Sequence, residues 1–199
     1  MRFRTITALF ILLIGLGGCA SAGTTADVVT MVERLGGSVV TDATLPGHPI
    51  VEIDLHGTKV TNDDLRLLRS AHELRKIDLR LTGIGDQGIS HLQDLEKLRF
   101  VNLFRTSIGD SSLLHLSRNR ELETLLIGGT NVTDDGLRRL AAFPNLKKIS
   151  LFDTDISDAG AANLIGLEKL EVLLLERSSI TEQGRRTLLQ EIPGLRFGK

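Results

Sequence analysis

A 24-residue register runs through most of this chain and constrains its fold more than any other feature. The cycles begin at Ile50, Leu74, Leu98, Leu122, Leu146 and Leu170, with a partial seventh at Leu195. The same columns are apolar in every cycle. The fourth position is Ile53, Ile77, Val101, Leu125, Ile149 and Leu173; the sixth is Leu55, Leu79, Leu103, Ile127, Leu151 and Leu175. The eleventh is always Val or Ile, and the nineteenth is always Leu, from Leu68 to Leu188. One register held through six cycles means a repeat architecture.

Elementary geometry then sets the shape. Positions four and six alternate inward as a short strand, and positions thirteen to twenty have helical spacing. One strand and one helix cannot bury their own apolar side, but stacked copies can. Each buried aliphatic side chain contributes roughly 1.5–3 kcal/mol against the entropy of ordering the chain. Strands stack about 4.8 Å apart whereas helices need about 10 Å, so the strand side must be concave. The expected fold is an α/β solenoid of about six 24-residue units, with a parallel concave sheet and convex helices.

The pattern L-x-x-L-x-L-x-x-T-x-[IV], followed by D-x-G-L as in Asp134-Asp135-Gly136-Leu137, resembles the leucine-rich repeat family. The match is to its helix-containing, ribonuclease-inhibitor-like or cysteine-containing subtypes, and it makes residues 50–199 the repeat domain. That family usually carries Asn or Cys at position nine. Here Thr58, Thr82, Thr106, Thr130, Thr154 and Ser178 stand there. A hydroxyl both donates and accepts, so the column is expected to form an inward structural ladder satisfying buried backbone groups of the turns.

The residues ahead of the repeat have a different character. Arg2 and Arg4 precede an apolar run, ITALFILLIGLGG, which is too short to span a bilayer. A basic start, a short apolar segment and small residues make a secretory signal peptide. Leu16-Gly17-Gly18-Cys19 resembles the bacterial lipoprotein signal, in which a small residue precedes a Cys that becomes the mature N-terminus. The resemblance implies removal of residues 1–18 and acylation of Cys19, whose buried acyl chains would add roughly 0.8 kcal/mol per CH₂. Cys19 is the only cysteine, so no internal disulfide or cysteine-based zinc cage is available. Cleavage after Ala22, giving a secreted or periplasmic protein, is the alternative. Ala20 and Ser21 carry no Asp-type retention signal, so a host with two membranes would place the protein in the outer one. Residues 19–26 read as a tether. Residues 27–49 read as a capping segment: a helix from Asp27 to Leu35, then a short strand at Ser38–Val40 before the Pro46-Gly47 turn.

Motifs that suggest chemistry dissolve into the repeat. Residues 83–88, GIGDQG, match G-x-G-x-x-G, yet the next unit has Ser107, Gly109 and Ser112 in those columns. The unit is also shorter than the roughly 30 residues of a nucleotide-binding βαβ. Asp86, Asp110, Asp134 and Asp158 share position thirteen and invite a calcium reading. An acid in the first helical turn, behind a capping residue at position twelve, accounts for them more simply. His91 and His115 share a column, but two ligands do not make a zinc site. No Ser lies in a G-x-S-x-G elbow, and no cysteine remains as a nucleophile. A formal charge of −1 argues against nucleic acid as a partner. Neither catalysis nor a metal nor a cofactor is expected.

Positions three, five, seven and eight are expected to face solvent on the concave wall. The early units are charged there, while later ones carry Phe100, Phe104, Leu126, Phe152, Val172 and Leu174. Gly128 and Gly129 are expected to leave a gap between Phe104 and Phe152. Clustered exposed apolar residues mark contact surfaces, and Arg80, Arg105 and Arg177 at the edge are candidate anchors. The sequence thus points to a non-catalytic, protein-binding module of the bacterial cell envelope, held to the membrane by lipid on Cys19. The alternative is a structural or assembly lipoprotein that self-associates through an uncapped C-terminal edge at Leu195-Arg196-Phe197.

Overall fold

The computed structural model describes residues 23–198. The leader, Cys19 and the first half of the expected tether lie outside the described residues. Eight strands form one sheet in strict chain order. β1 (Ser38–Thr41) runs antiparallel to β2 (Ile50–Asp54). From β2 the sheet is parallel through β3 (Lys76–Asp78), β4 (Phe100–Asn102), β5 (Thr124–Leu126), β6 (Lys148–Ser150), β7 (Val172–Leu174) and β8 (Arg196–Phe197). The pairing register is the sequence period itself. Ile53 lies beside Ile77, Ile77 beside Val101, and Leu173 beside Phe197, so the partial seventh cycle begins at Gly194, one residue before the expected Leu195. Positions four and six are therefore sealed between strand and helix layers, none more than 1% exposed.

The N-terminal end of the stack is covered by α1 (Thr25–Arg34), which buries Val28, Met31 and Val32. Its start is fixed by a capping box: the Thr24 hydroxyl accepts from the Asp27 N–H, and the Asp27 carboxylate accepts from the Thr24 N–H. Thr24, Thr25 and Ala26, expected in the tether, are thus the cap and first turn of this helix.

Each strand from β2 to β7 is followed by a short convex helix. These are a 3₁₀ helix at Asp64–Ser70, then α2 (Asp86–Ile89), α3 (Asp110–Leu116), α4 (Asp134–Leu137), α5 (Asp158–Ala161) and α6 (Glu182–Glu191). α2, α4 and α5 tighten directly into 3₁₀ turns at Ser90–Leu92, Arg138–Ala142 and Ala162–Leu164. The helical spacing is real but the helices are not uniform. A unit this short must cross the convex side and return to the sheet, and 3₁₀ turns rise further per residue than α turns.

The position-nine hydroxyls satisfy buried backbone groups of the turns, as expected. Each donates to the carbonyl three residues back in its own turn: Thr82 to Leu79 at 2.6 Å, Thr106 to Leu103 at 2.7 Å, Thr154 to Leu151 at 2.7 Å. The column thus staples the turns one by one. An inter-rung ladder is built by position thirteen. Asp134 accepts from the Ser157 N–H at 2.9 Å and from its hydroxyl at 2.5 Å. Asp158 does the same with Thr181 at 2.8 and 2.6 Å, and Asp110 with Thr133 at 2.8 Å for both. Asp86 binds the Gly109 N–H at 2.8 Å and the N–H and hydroxyl of Ser112. In the first unit Asn62 takes the part, accepting from the Gly85 N–H at 3.0 Å.

This ladder explains the Gly of D-x-G. Each carboxylate projects over position fifteen of the next rung, where a Cβ at Gly136, Gly160 or Gly184 would collide with the Oδ1 of Asp110, Asp134 or Asp158. Gly88 faces Asn62 in the same way, so the G-x-G-x-x-G match is a packing requirement of the stack. Ser112 is the exception, and its hydroxyl turns the close approach into a hydrogen bond.

The C-terminal end finishes on β8, which pairs with β7 and has no strand beyond it among the described residues. α6 is longer than the helices of the preceding rungs and buries Leu188, while Ile192 and Leu195 close beneath it. The Arg185 guanidinium covers the half-buried Phe197 ring, 5.7 Å from its centroid. Among the described residues no helix is long and apolar enough to cross a membrane.

Candidate functional site

The concave wall is not uniformly solvated. Column five folds back onto the sheet: Asp78, Asn102 and Ser150 are buried, which corrects the expectation that they face solvent. Strands close together leave little room there, and these side chains find partners nearby. Asp78 accepts from the Arg80 N–H at 3.0 Å, Asn102 from the Phe104 N–H at 3.1 Å, and the Asn102 amide donates to Asp78 at 3.1 Å. Leu126 and Leu174, in the same column, are half-buried. Leu174 lies toward the chain's C-terminus, where Gly198 packs against it.

Position seven carries the wall's main feature. Phe104 and Phe152 come from rungs separated by a whole unit, yet their rings meet with centroids 6.1 Å apart at 53°. The intervening residue is Gly128. A Cβ there would lie 2.8 Å from the Phe152 carbonyl and 3.2 Å from Phe104 Cδ2. The expected gap is therefore closed, because both rings lean into the space that the glycine vacates. A tilted pair at this distance is worth about 0.5–1.5 kcal/mol beyond area burial. Both rings stay half-exposed to the concave side.

Arginines frame the pair. Arg105 lies over Phe104 at 5.2 Å and Arg177 over Phe152 at 5.8 Å. Such contacts contribute about 0.5–1 kcal/mol at exposed sites. Arg177 is also paired with Asp153 at 3.1 Å. Arg80 pairs with Asp78 at 3.6 Å and touches neither ring. Phe100, at position three, is capped by Lys76 at 5.6 Å and stands at the other end of its strand, outside the Phe104–Phe152 cluster. The structure thus brings together Phe104, Phe152, Arg105 and Arg177, and leaves Phe100 and Leu174 apart. Cys19 lies outside the described residues.

Position eight holds a feature that the sequence conceals. Every rung turns there through the left-handed region: Gly57, Leu81, Arg105, Gly129, Asp153 and Arg177 have φ of 64°, 57°, 54°, 66°, 56° and 62°. Glycine does this freely, whereas an L-residue bears roughly 1–2 kcal/mol. Four rungs nevertheless carry side chains, and Leu81 is 52% exposed. Strain retained beside an exposed aromatic pair is characteristic of functional surfaces. Four non-glycine residues in the column conceal in the sequence a turn that glycine at every rung would have announced. Gly129 adds a packing role, since a Cβ there would strike Arg105 Cγ at 2.9 Å.

The convex histidines form no pair. His91 is buried, with its Nδ1 2.8 Å from Arg69 Nη2 and its Nε2 without a partner. Burial, then the nearby Arg69 and Arg66 charges, hold its pKa below the usual histidine value, with Asp63 opposing. Among the described residues no group of three His, Cys, Asp or Glu is placed to hold a metal ion.

The family profile described as Leucine Rich repeat matches residues 71–92 and 144–164. No curated protein matches the chain. Among solved structures, internalin C2 from Listeria monocytogenes str. 4b F2365 aligns with a TM-score of 0.59 at 19% identity, over 74% of this chain and 70% of its own. Another internalin of that strain, inlF, aligns with a TM-score of 0.58 at 17% identity, over 88% of this chain and 56% of its own. This chain therefore spans little more than half of the second structure. At such identities the likeness is one of fold. Profile, register and solenoid geometry agree that the chain is a leucine-rich-repeat protein.

Proposed function

We propose that this protein is a non-catalytic interaction module of the bacterial cell envelope that binds a protein partner on its concave wall. The observation that carries this is the Phe104–Phe152 pair, held half-exposed over Gly128 and framed by Arg105 and Arg177. The fold shared with internalins supports an interaction role, because stacked repeats present an extended concave surface suited to binding. The leader and Cys19 supply the anchor: acylation of the cysteine holds the solenoid at a membrane surface, in the outer membrane where the host has two. The assembly alternative rests on β8 (Arg196–Phe197), whose outer edge has no strand partner among the described residues but offers only two residues for pairing.

Two measurements test this. Affinity capture from envelope extracts, with wild type and the Phe104→Ser/Phe152→Ser variant in parallel, should yield a partner that only wild type retains. Equal capture by both would move the binding surface elsewhere. Mass spectrometry of the mature N-terminus should find acylated Cys19; an N-terminus at Gly23 would make the protein secreted or periplasmic.

A further inference from the structure

Three of the cations on the concave wall are matched within the chain. Lys76 has Glu52 at 3.1 Å, Arg80 has Asp78 at 3.6 Å, and Arg177 has Asp153 at 3.1 Å. Arg105 has no carboxylate partner among the described residues, although it lies beside the exposed aromatic pair. Lys148 and Arg196 also lack one, but at position three they stand at the other end of their strands from the rings.

Arg105 is nevertheless held in place by its own rung and the next. Its backbone is held in the left-handed region at φ 54°. Its stem packs against Gly129, and its guanidinium lies 5.2 Å from the Phe104 ring centroid. A guanidinium without a carboxylate partner offers an N–H edge that matches a carboxylate with two parallel hydrogen bonds. A charge presented in this way, with little rotamer freedom left to lose, favours a complementary anion.

We infer that the concave wall recognises a protein segment carrying an Asp or Glu within two residues of an aromatic or aliphatic side chain. The carboxylate engages Arg105 and the apolar side chain packs on the Phe104–Phe152 rings. This rests on the concave wall being the binding surface, and the test separates the two.

The full-length chain is used to select binders from a displayed random twelve-residue peptide library, with counter-selection against Phe104→Ser/Phe152→Ser. Selected peptides should be enriched in Asp or Glu next to apolar residues. Arg105→Gly should weaken them at least tenfold while leaving the melting temperature equal or higher, because glycine suits that turn. Replacing the peptide's acid by its amide should weaken binding to wild type tenfold and change binding to Arg105→Gly little. Rising salt should weaken the wild-type interaction. Peptides that need the two Phe but show no acidic bias, or that ignore Arg105→Gly, would overturn the inference and leave the concave surface standing. Selection of only those peptides that bind the double Phe variant equally would overturn both.

Discussion

On the convex shoulder, each rung's position-thirteen side chain binds the next rung's helix start, and position fifteen is small to let it pass. On the concave wall nothing repeats in that way. Phe104 and Phe152 meet across a glycine that occurs at position seven in no other rung, and the cations around them are placed individually. The shoulder's chemistry is set by stacking, because every rung meets the same neighbour. The wall's chemistry is particular to this chain, because stacking leaves positions seven and eight free to differ. Substitutions on the shoulder should therefore act on stability, and substitutions on the wall on binding.

The largest stability loss should come from the core that both faces share. Leu103→Ala removes a fully buried side chain and should cost about 2–5 kcal/mol, read as a drop in denaturant midpoint. On the shoulder, Asp134→Ala strips the acceptor from the Ser157 N–H and hydroxyl and should cost about 1–3 kcal/mol. Phe104→Ser/Phe152→Ser removes the ring pair and both arginine contacts and should cost about 1.5–3.5 kcal/mol before any loss of burial, while weakening partner binding at least tenfold. A tenfold loss of binding in the folded shoulder variant would erase the contrast.

Acid should expose a smaller effect on the convex side. His91 titrates below its usual value of 6.5 in the folded protein, whereas the unfolded chain takes up the proton near that value. Stability is therefore intact above about pH 6.5 and falls as the pH drops through the folded pKa, because the unfolded state binds the proton more readily. Melting temperatures between pH 7.5 and 5 should show this slope, and His91→Leu should flatten it. The smallest expected change is a gain: Leu81→Gly relieves a left-handed residue and should stabilise the fold by about 1 kcal/mol.

The period, the parallel sheet and the sealed columns four and six were legible because each depends on one residue type recurring in one register. The Asp–Gly ladder was visible as two columns but not as a contact. Its partners, such as Asp134 and Gly160, lie more than a full unit apart, and an acid near a helix start already has a sufficient local explanation. The Thr column was legible because its role is local: each hydroxyl satisfies its own turn's carbonyl. At the candidate site, Phe104, Phe152, Arg105 and Arg177 could be picked from the concave columns. Their convergence could not, because Gly128 reads as an absence until two rings are seen leaning into it.

The most direct test measures melting temperature and affinity for the selected acidic–apolar peptides side by side, on Asp134→Ala and on Phe104→Ser/Phe152→Ser, at a temperature where both are folded. Asp134→Ala should melt lower and bind with unchanged Kd, and the Phe variant, folded at the same temperature, should bind at least tenfold more weakly. Equal loss of affinity in both, or a Phe variant that binds as wild type does, would contradict the division of roles between shoulder and wall.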